Sequence, residues 1–330
     1  MTDKRELPSC PALKLRLPAR QSRRPKFIPE TLRNPTPRID SLRSVSSHPR
    51  LRVAAINFLN PAPLMWDFEH PPLSASLTAR YQIDRMLPSE CADRLASGAA
   101  DIGLIPIAAL AATPGLRILP GSTIASKGRV RSLLLVRRAA QPLAALRAVA
   151  ADAASRTSLA YARILFHKWG NPAVPFLPMA ADLDAMLHRA DAAILIGDPA
   201  LLALEERANR FERSGEELVY HDLAEEWRAL TGLPFVSAVW AAAPNSSAPD
   251  SLLDERVTED FNQSRIHGLQ NIEVLVAEWS ARIPIPEETI RAYLTTNIHY
   301  LLDEECLEGM RVFFRMAAEC GVLREYFPSL

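Results

Sequence analysis

The sequence predicts an α/β fold of two lobes with a ligand cleft between them. Three observations predict it. From residue 50 onward, strand-like apolar runs alternate with helix-like segments, the pattern of helices layered on mostly parallel sheets. The 330 residues leave room for two lobes, and 48% of them are apolar, enough to bury a real core. Two strand-like runs, 131–137 and 235–242, bracket a self-contained β/α block. Read as crossings between lobes, they make 138–234 a second lobe inserted into a first one built from 50–137 and 235–330.

The elements follow in order. Residues 1–49 are rich in Pro, Arg and Ser and show no lasting period. Such a segment cannot bury enough apolar surface to offset its ordering entropy, so a disordered basic tail is expected. Arg52–Leu59 reads as a buried strand that ends at Asn60-Pro61, and Ala62–Phe68 as a short helix. Tyr81–Met86 is a strand, and Pro88-Ser89-Glu90 starts a helix that stops at Gly98. Asp101–Ile107 and Arg131–Arg137 are strands, the second preceded by a loop containing Gly121 and Gly128. Leu146–Ala151 is strand-like, and Ser155 opens an amphipathic helix that runs to Trp169 and stops at Gly170. Val174–Pro178 and Ala192–Ile196 are strands around a helix at Leu183–Arg189. Gly197-Asp198-Pro199 begins a helix to about Arg210, Asp222–Leu230 is helical, and Phe235–Ala242 is a strand. From Ser251 to the end helix dominates.

Charge and cysteine usage exclude several functions. The first 50 residues hold twelve Lys or Arg against four Asp or Glu, a balance of +8. The rest holds 26 basic against 34 acidic residues, so a nucleic-acid footprint on it is not expected. Cys10, Cys91, Cys306 and Cys320 form no CxxC and no zinc spacing, so no metal is expected. No run approaches a membrane span or the apolar core of a secretory signal. The expectation is a cytoplasmic protein whose partner is a small-molecule substrate, with no nucleic acid and no membrane.

Several polar groups stand where a ligand would bind, since open α/β sheets receive ligands at the carboxyl ends of their strands. Asn60 ends the first strand, where it serves either a site or the cap of the next helix. Ser155-Arg156-Thr157-Ser158 sits at a helix start, whose free N–H groups and positive dipole end suit an anion. Three hydroxyls and a guanidinium add donors for a carboxylate. The other reading is an ordinary N-cap by Ser155, which uses none of the other three. Ser132 closes the basic loop Ser126–Ser132, as a side-chain donor near the crossing or as part of a charged surface loop. Asp198 ends a buried strand and is open to three roles: binding a hydroxyl, acting as a base, or capping its helix. Thr231 precedes a strand and is expected to face the cleft.

Other chemistry lacks its residues. GxGxxG after a strand, GxxxxGK[ST] and GxSxG are all absent. The seven histidines are dispersed, with no pair at i, i+4. No nucleotide cofactor, metal or Ser-His-Asp triad is expected, and no cofactor of any kind.

The motifs FLNPAPL (58–64), DIGLIPIAAL (101–110), SKGRVRS (126–132), SRTS (155–158), DAAILIGDPAL (191–201) and TGLPFVSAVWAA (231–242) occur in this order. In that order they strongly resemble the chorismate dehydratases of the futalosine route to menaquinone. The resemblance covers about residues 50–330. It implies a two-lobed fold similar to type II periplasmic binding proteins. It also implies elimination of water from chorismate to give 3-[(1-carboxyvinyl)oxy]benzoate, hence a hydro-lyase. The related 1,4-dihydroxy-6-naphthoate synthases are a similar family, and the IGD and TGLPF segments favour the dehydratase. By motif, Asn60 matches the active-site Asn, and Ser132 matches the Ser closing the family's loop. Ser155, Thr157 and Ser158 match a carboxylate-holding turn, and Asp198 matches the Asp of IGD. The chain departs at Arg129, where relatives carry Pro, which puts the rigidity of that loop in question. A non-enzymatic solute-binding protein of the same fold is the alternative from another class.

Overall fold

The computed structural model describes residues 50–154, 156–243 and 255–326. The expected tail, 1–49, lies outside the described residues, as does Ser155.

The chain begins with strand β1 (Leu51–Ile56), a 3₁₀ turn (Ala62–Met65) and two short helices, α1 (Trp66–Glu69) and α2 (Ser74–Thr78). Then come β2 (Tyr81–Met86), α3 (Pro88–Ala96), β3 (Ile102–Pro106), α4 (Ala108–Ala112) and β4 (Arg117–Ser126). The block β5 (Leu133–Arg138), β6 (Val149–Asp152), α5 (Arg156–Lys168), β7 (Phe176–Met179), α6 (Leu183–Arg189) and β8 (Ala192–Ile196) follows. Helices α7 (Gly197–Glu205) and α8 (Arg207–Ser214) lead to β9 (Leu218–Asp222), α9 (Leu223–Thr231) and β10 (Phe235–Ala242). Helices α10 (Glu255–Gln270), α11 (Ile272–Ser280) and α12 (Glu287–Ala292) run into a π-helical turn, Tyr293–Asn297. Strand β11 (His299–Leu301) and helix α13 (Glu304–Glu319) close the described part.

The strands form two sheets, a six-stranded one in the order β11-β4-β10-β3-β1-β2 and a five-stranded one in the order β7-β6-β8-β5-β9. Both are mixed, which corrects the expectation of mostly parallel sheets. Strand β1 is parallel to β2 and β3, and β6 is parallel to β7 and β8. Strand β5 runs antiparallel to β8 and β9, and β10 antiparallel to β3 and β4. Those two strands arrive from the other sheet and so run against their new neighbours. The run expected at 131–137 as the last segment of the first lobe is β5, and it pairs within the second sheet.

Packing fixes where the sheet ends lie. Fully buried Trp240 and Phe261 meet at 4.5 Å beside Tyr81 and Phe68. A second group joins Tyr161 of α5 to Phe313 of α13, Phe235 and Trp227. Buried aromatics of this size dominate core energetics. Helix α10 crosses directly over the turn after β1. A Cβ at Gly268 would collide with the Pro63 carbonyl, so only glycine permits the contact that holds the Asn60 segment.

Candidate active site

The carboxyl ends of β1, β3, β6 and β8 meet, and the polar residues at those ends line one cavity. Asn60 follows β1. It does not cap the next turn, because Pro61 is the N-cap and no side chain bonds there. Its side chain lines the cavity instead, and its Oδ1 is buried with no partner. An unpaired buried acceptor costs about 1–3 kcal/mol, so Oδ1 is available to a ligand donor.

After β6, Asp152 accepts the Ala154 N–H at 2.9 Å and turns the chain into α5. Thr157 and Ser158, both buried in the first turn of α5, line the cavity. The Thr157 hydroxyl also accepts the Ala108 N–H at 3.1 Å, tying α5 to the start of α4. Its own proton is left to donate. Arg156 points elsewhere. It pairs with Asp93 at 2.6 Å on the surface and does not line the cavity.

After β8, Gly197 lines the cavity at φ +61, and Phe58 lies over it. A Cβ there would come within 2.7 Å of the Phe58 ring, so glycine serves both the turn and the contact. Asp198 does not cap its helix. Helix α7 has Ile196 as N-cap without a side-chain bond, and Asp198 Oδ1 accepts the Leu59 N–H at 2.9 Å. The carboxylate thus joins the ends of β1 and β8 behind the cavity wall. Burial pushes its carboxyl up to about 6, against the pull of that hydrogen bond.

Ser132 is buried and lines the cavity, just ahead of β5. The residue before it, Arg131, has φ 62, a left-handed turn that costs a non-glycine residue about 1–2 kcal/mol. Asp222 holds that turn by accepting the Arg131 N–H at 2.7 Å. The loop that Arg129 puts in question is tied down further along. Arg129 pairs with Glu225 at 2.8 Å, and Lys127 reaches Asp303 and Glu305, each at 2.8 Å. Thr231 stays out of the cavity. Its hydroxyl donates to the Trp227 carbonyl and accepts the Leu233 N–H, which closes the end of α9.

One polar wall group, Ser237, and one residue behind the wall, Tyr293, are not marked as site residues in the sequence. Ser237 lines the cavity where the pairing of β10 with β4 slips between Val236 and Ala238. Such a slip re-aims a side chain. Its signal was a lone polar residue inside an apolar run. The phenol of fully buried Tyr293 donates to Ser132 Oγ at 2.7 Å, and nothing local marks it.

The cavity is tight, with about 40 Å³ of free volume. Among the described residues, none that lines it is ionisable. Its polar wall is Asn60, Ser132, Thr157, Ser158 and Ser237, all neutral hydrogen-bonding groups. His299, Asp303 and Cys306 are the described trio with metal-ligand atoms in reach of one another, within 4.8 Å. Asp303 there is occupied by Lys127, His299 and the Cys306 N–H, and burial pushes the Cys306 thiol up to about 12.

A family model described as menaquinone biosynthesis matches residues 51–319. The chain belongs to the menaquinone biosynthesis family. One curated relative in this setting is the chorismate dehydratase of Thermus thermophilus. It is 27% identical over 243 residues, 71% of this chain and 85% of the relative. Solved structures share the fold. A protein of Archaeoglobus fulgidus matches at TM-score 0.61 and 16% identity, covering 83% of this chain and 98% of its own. The alkanesulfonate-binding protein SsuA of Xanthomonas axonopodis pv. citri matches at TM-score 0.59 and 16% identity, covering 83% and 94%. A Candida albicans protein described as having the generic periplasmic binding protein fold matches at TM-score 0.57 and 15% identity, covering 84% and 92%. The family member described here therefore has a periplasmic-binding-protein-like α/β fold.

The family match begins at residue 51, one residue past the basic segment. A chain starting at Arg50 is expected to melt at the same temperature as the full chain and to bind the same ligand. A lower melting temperature or weaker binding would show that the first 49 residues belong to the working protein.

Proposed function

We propose that this protein is a chorismate dehydratase, a hydro-lyase that converts chorismate to 3-[(1-carboxyvinyl)oxy]benzoate and water in the cytoplasm, on the futalosine route to menaquinone. The family and the Thermus thermophilus relative support the reaction. The observation that carries it is the cavity wall, rich in neutral donors and without an ionisable side chain among the described residues. The same reading takes each sheet as the centre of one lobe and the cavity as the cleft between them.

Chorismate carries two carboxylates, so the cleft must donate to both. The first turn of α5 supplies the Thr157 and Ser158 side chains for one. Asn60 and Ser132 face the other. Loss of the C3 proton and the C4 hydroxyl makes the ring aromatic, which strongly favours product. What remains for the protein is orientation, charge stabilisation and a proton acceptor. With no base on the wall, the substrate's own enolpyruvyl carboxylate takes the proton. Asn60 and Ser132 orient it and stabilise the developing charge. The rival acceptor is Asp198, which sits behind the wall on the Leu59 N–H.

A second reading, a solute-binding protein, has the alkanesulfonate-binding neighbour in its favour. Incubation with chorismate tests both. Formation of the aromatic enol ether supports the dehydratase, and chorismate recovered unchanged refutes it.

The α5 contact gives its own test. Replacing Thr157 and Ser158 together by Ala removes two donors to a carboxylate, each worth about 1.5–3 kcal/mol. KM is expected to rise at least about tenfold. Thr157→Ala alone also strands the buried Ala108 N–H, so its melting temperature should fall while that of Ser158→Ala holds. An unchanged KM would make this helix start purely structural.

A further inference from the structure

Asn60 and Ser132 lie 72 positions apart in the chain, yet both lie against one buried side chain, Tyr293. Its phenol donates to Ser132 Oγ at 2.7 Å. Asn60 lies against the same phenol, and because its Oδ1 has no partner, its amide N–H is the side that faces it. Tyr293 gives to Ser132. A serine that accepts at its oxygen has its own proton left to give, and the open side of Ser132 is the cavity. Burial holds Tyr293 protonated, well above the usual tyrosine range. The phenol therefore keeps a proton to donate at any working pH.

We propose that Tyr293 is a positioning residue, which makes Ser132 a committed donor to the ligand. Its effect on dehydration rests on the proposed function, because Tyr293 acts on chorismate only through Ser132. Without the phenol, the Ser132 hydroxyl can rotate and donate elsewhere, and the donor is no longer preorganised for charge in the transition state.

The test is Tyr293→Phe, which keeps the ring and removes the hydroxyl. Its kcat should fall at least about tenfold while KM stays within about twofold, the pattern of a contact made in the transition state. The double variant Ser132→Ala with Tyr293→Phe should be no slower than Ser132→Ala alone, since both changes cut one chain. A merely structural tyrosine would give losses that add. Tyrosine labelled at Cζ supplies a readout that needs no turnover. The signal absent from Tyr293→Phe belongs to Tyr293, and it should shift in Ser132→Ala, with or without chorismate. If the wild type leaves chorismate unchanged, the proposed function fails, and the shift alone decides whether Tyr293 donates to Ser132. A signal that ignores Ser132→Ala, wild-type kcat in Tyr293→Phe, or additive losses would each overturn the proposal.

Discussion

Ser132→Ala should lower kcat by about 10²–10³, the usual cost of deleting one preorganised donor. The Ser132 hydroxyl is buried at the cavity wall, supplied by Tyr293 and aimed by the left-handed turn at Arg131. Little reorganisation is needed when charge develops beside it, and that is the condition under which such a donor contributes most. KM should change far less, because the turn of α5 still holds the other carboxylate. The variant leaves the Tyr293 phenol without its acceptor in a buried place, which costs about 1–3 kcal/mol of stability. Kinetics must therefore be read on protein shown to be folded below its melting range. A kcat within about twofold of wild type would remove Ser132 from the chemistry.

Asp198→Asn should stabilise the protein and leave it active. The folded-state carboxyl titrates at about 6, because burial penalises the charge. An unfolded Asp titrates at about 3.9. Below the unfolded value the carboxyl is protonated in both states and costs nothing. As pH rises from about 4 through 6, the folded state must give up a proton that it holds more tightly, and stability falls. The difference corresponds to about 3 kcal/mol at neutral pH, as an order of magnitude. Asparagine keeps an acceptor for the Leu59 N–H and never ionises. Its melting temperature should match wild type below about pH 4 and exceed it increasingly up to about pH 7, then stay ahead by a constant margin. Turnover should persist, since the substrate supplies the proton acceptor. If the folded variant binds chorismate normally but forms no product, Asp198 is the base and the substrate-assisted mechanism fails.

Much of this architecture was readable in advance. Strands 81–86, 192–196 and 235–242 and helix 183–189 lie where their apolar patterns put them. Each is a short run bounded by Gly, Pro or charge, so local signals and tertiary context agree. Strand β4 was not readable, because Pro120-Gly121 interrupts it and looks like a loop. The chain tolerates the break: Gly121 takes φ +96 and the pairing with β10 and β11 is irregular along this strand. Strand β11 has three residues and sits inside a helical stretch, too short for any period to register.

The site divides the same way. Asn60, Ser132, Thr157 and Ser158 stand at strand or helix ends, where topology delivers ligands, and all four reach the cavity. Arg156 and Thr231 share those surroundings in sequence but not in space. Arg156 projects outward to Asp93, and the Thr231 hydroxyl is spent on its own helix end. Tyr293 had no local signal. It comes to Ser132 across 161 positions, from a π-helical turn after α12. Only the return of the chain to the first sheet brings the two together.

The most direct measurement is one experiment on wild-type protein, with chorismate binding followed by calorimetry and the recovered ligand identified by NMR. The account predicts binding and then conversion to 3-[(1-carboxyvinyl)oxy]benzoate with release of water. Chorismate that binds and is recovered intact would contradict it, and would make the cleft a receptor and not an active site.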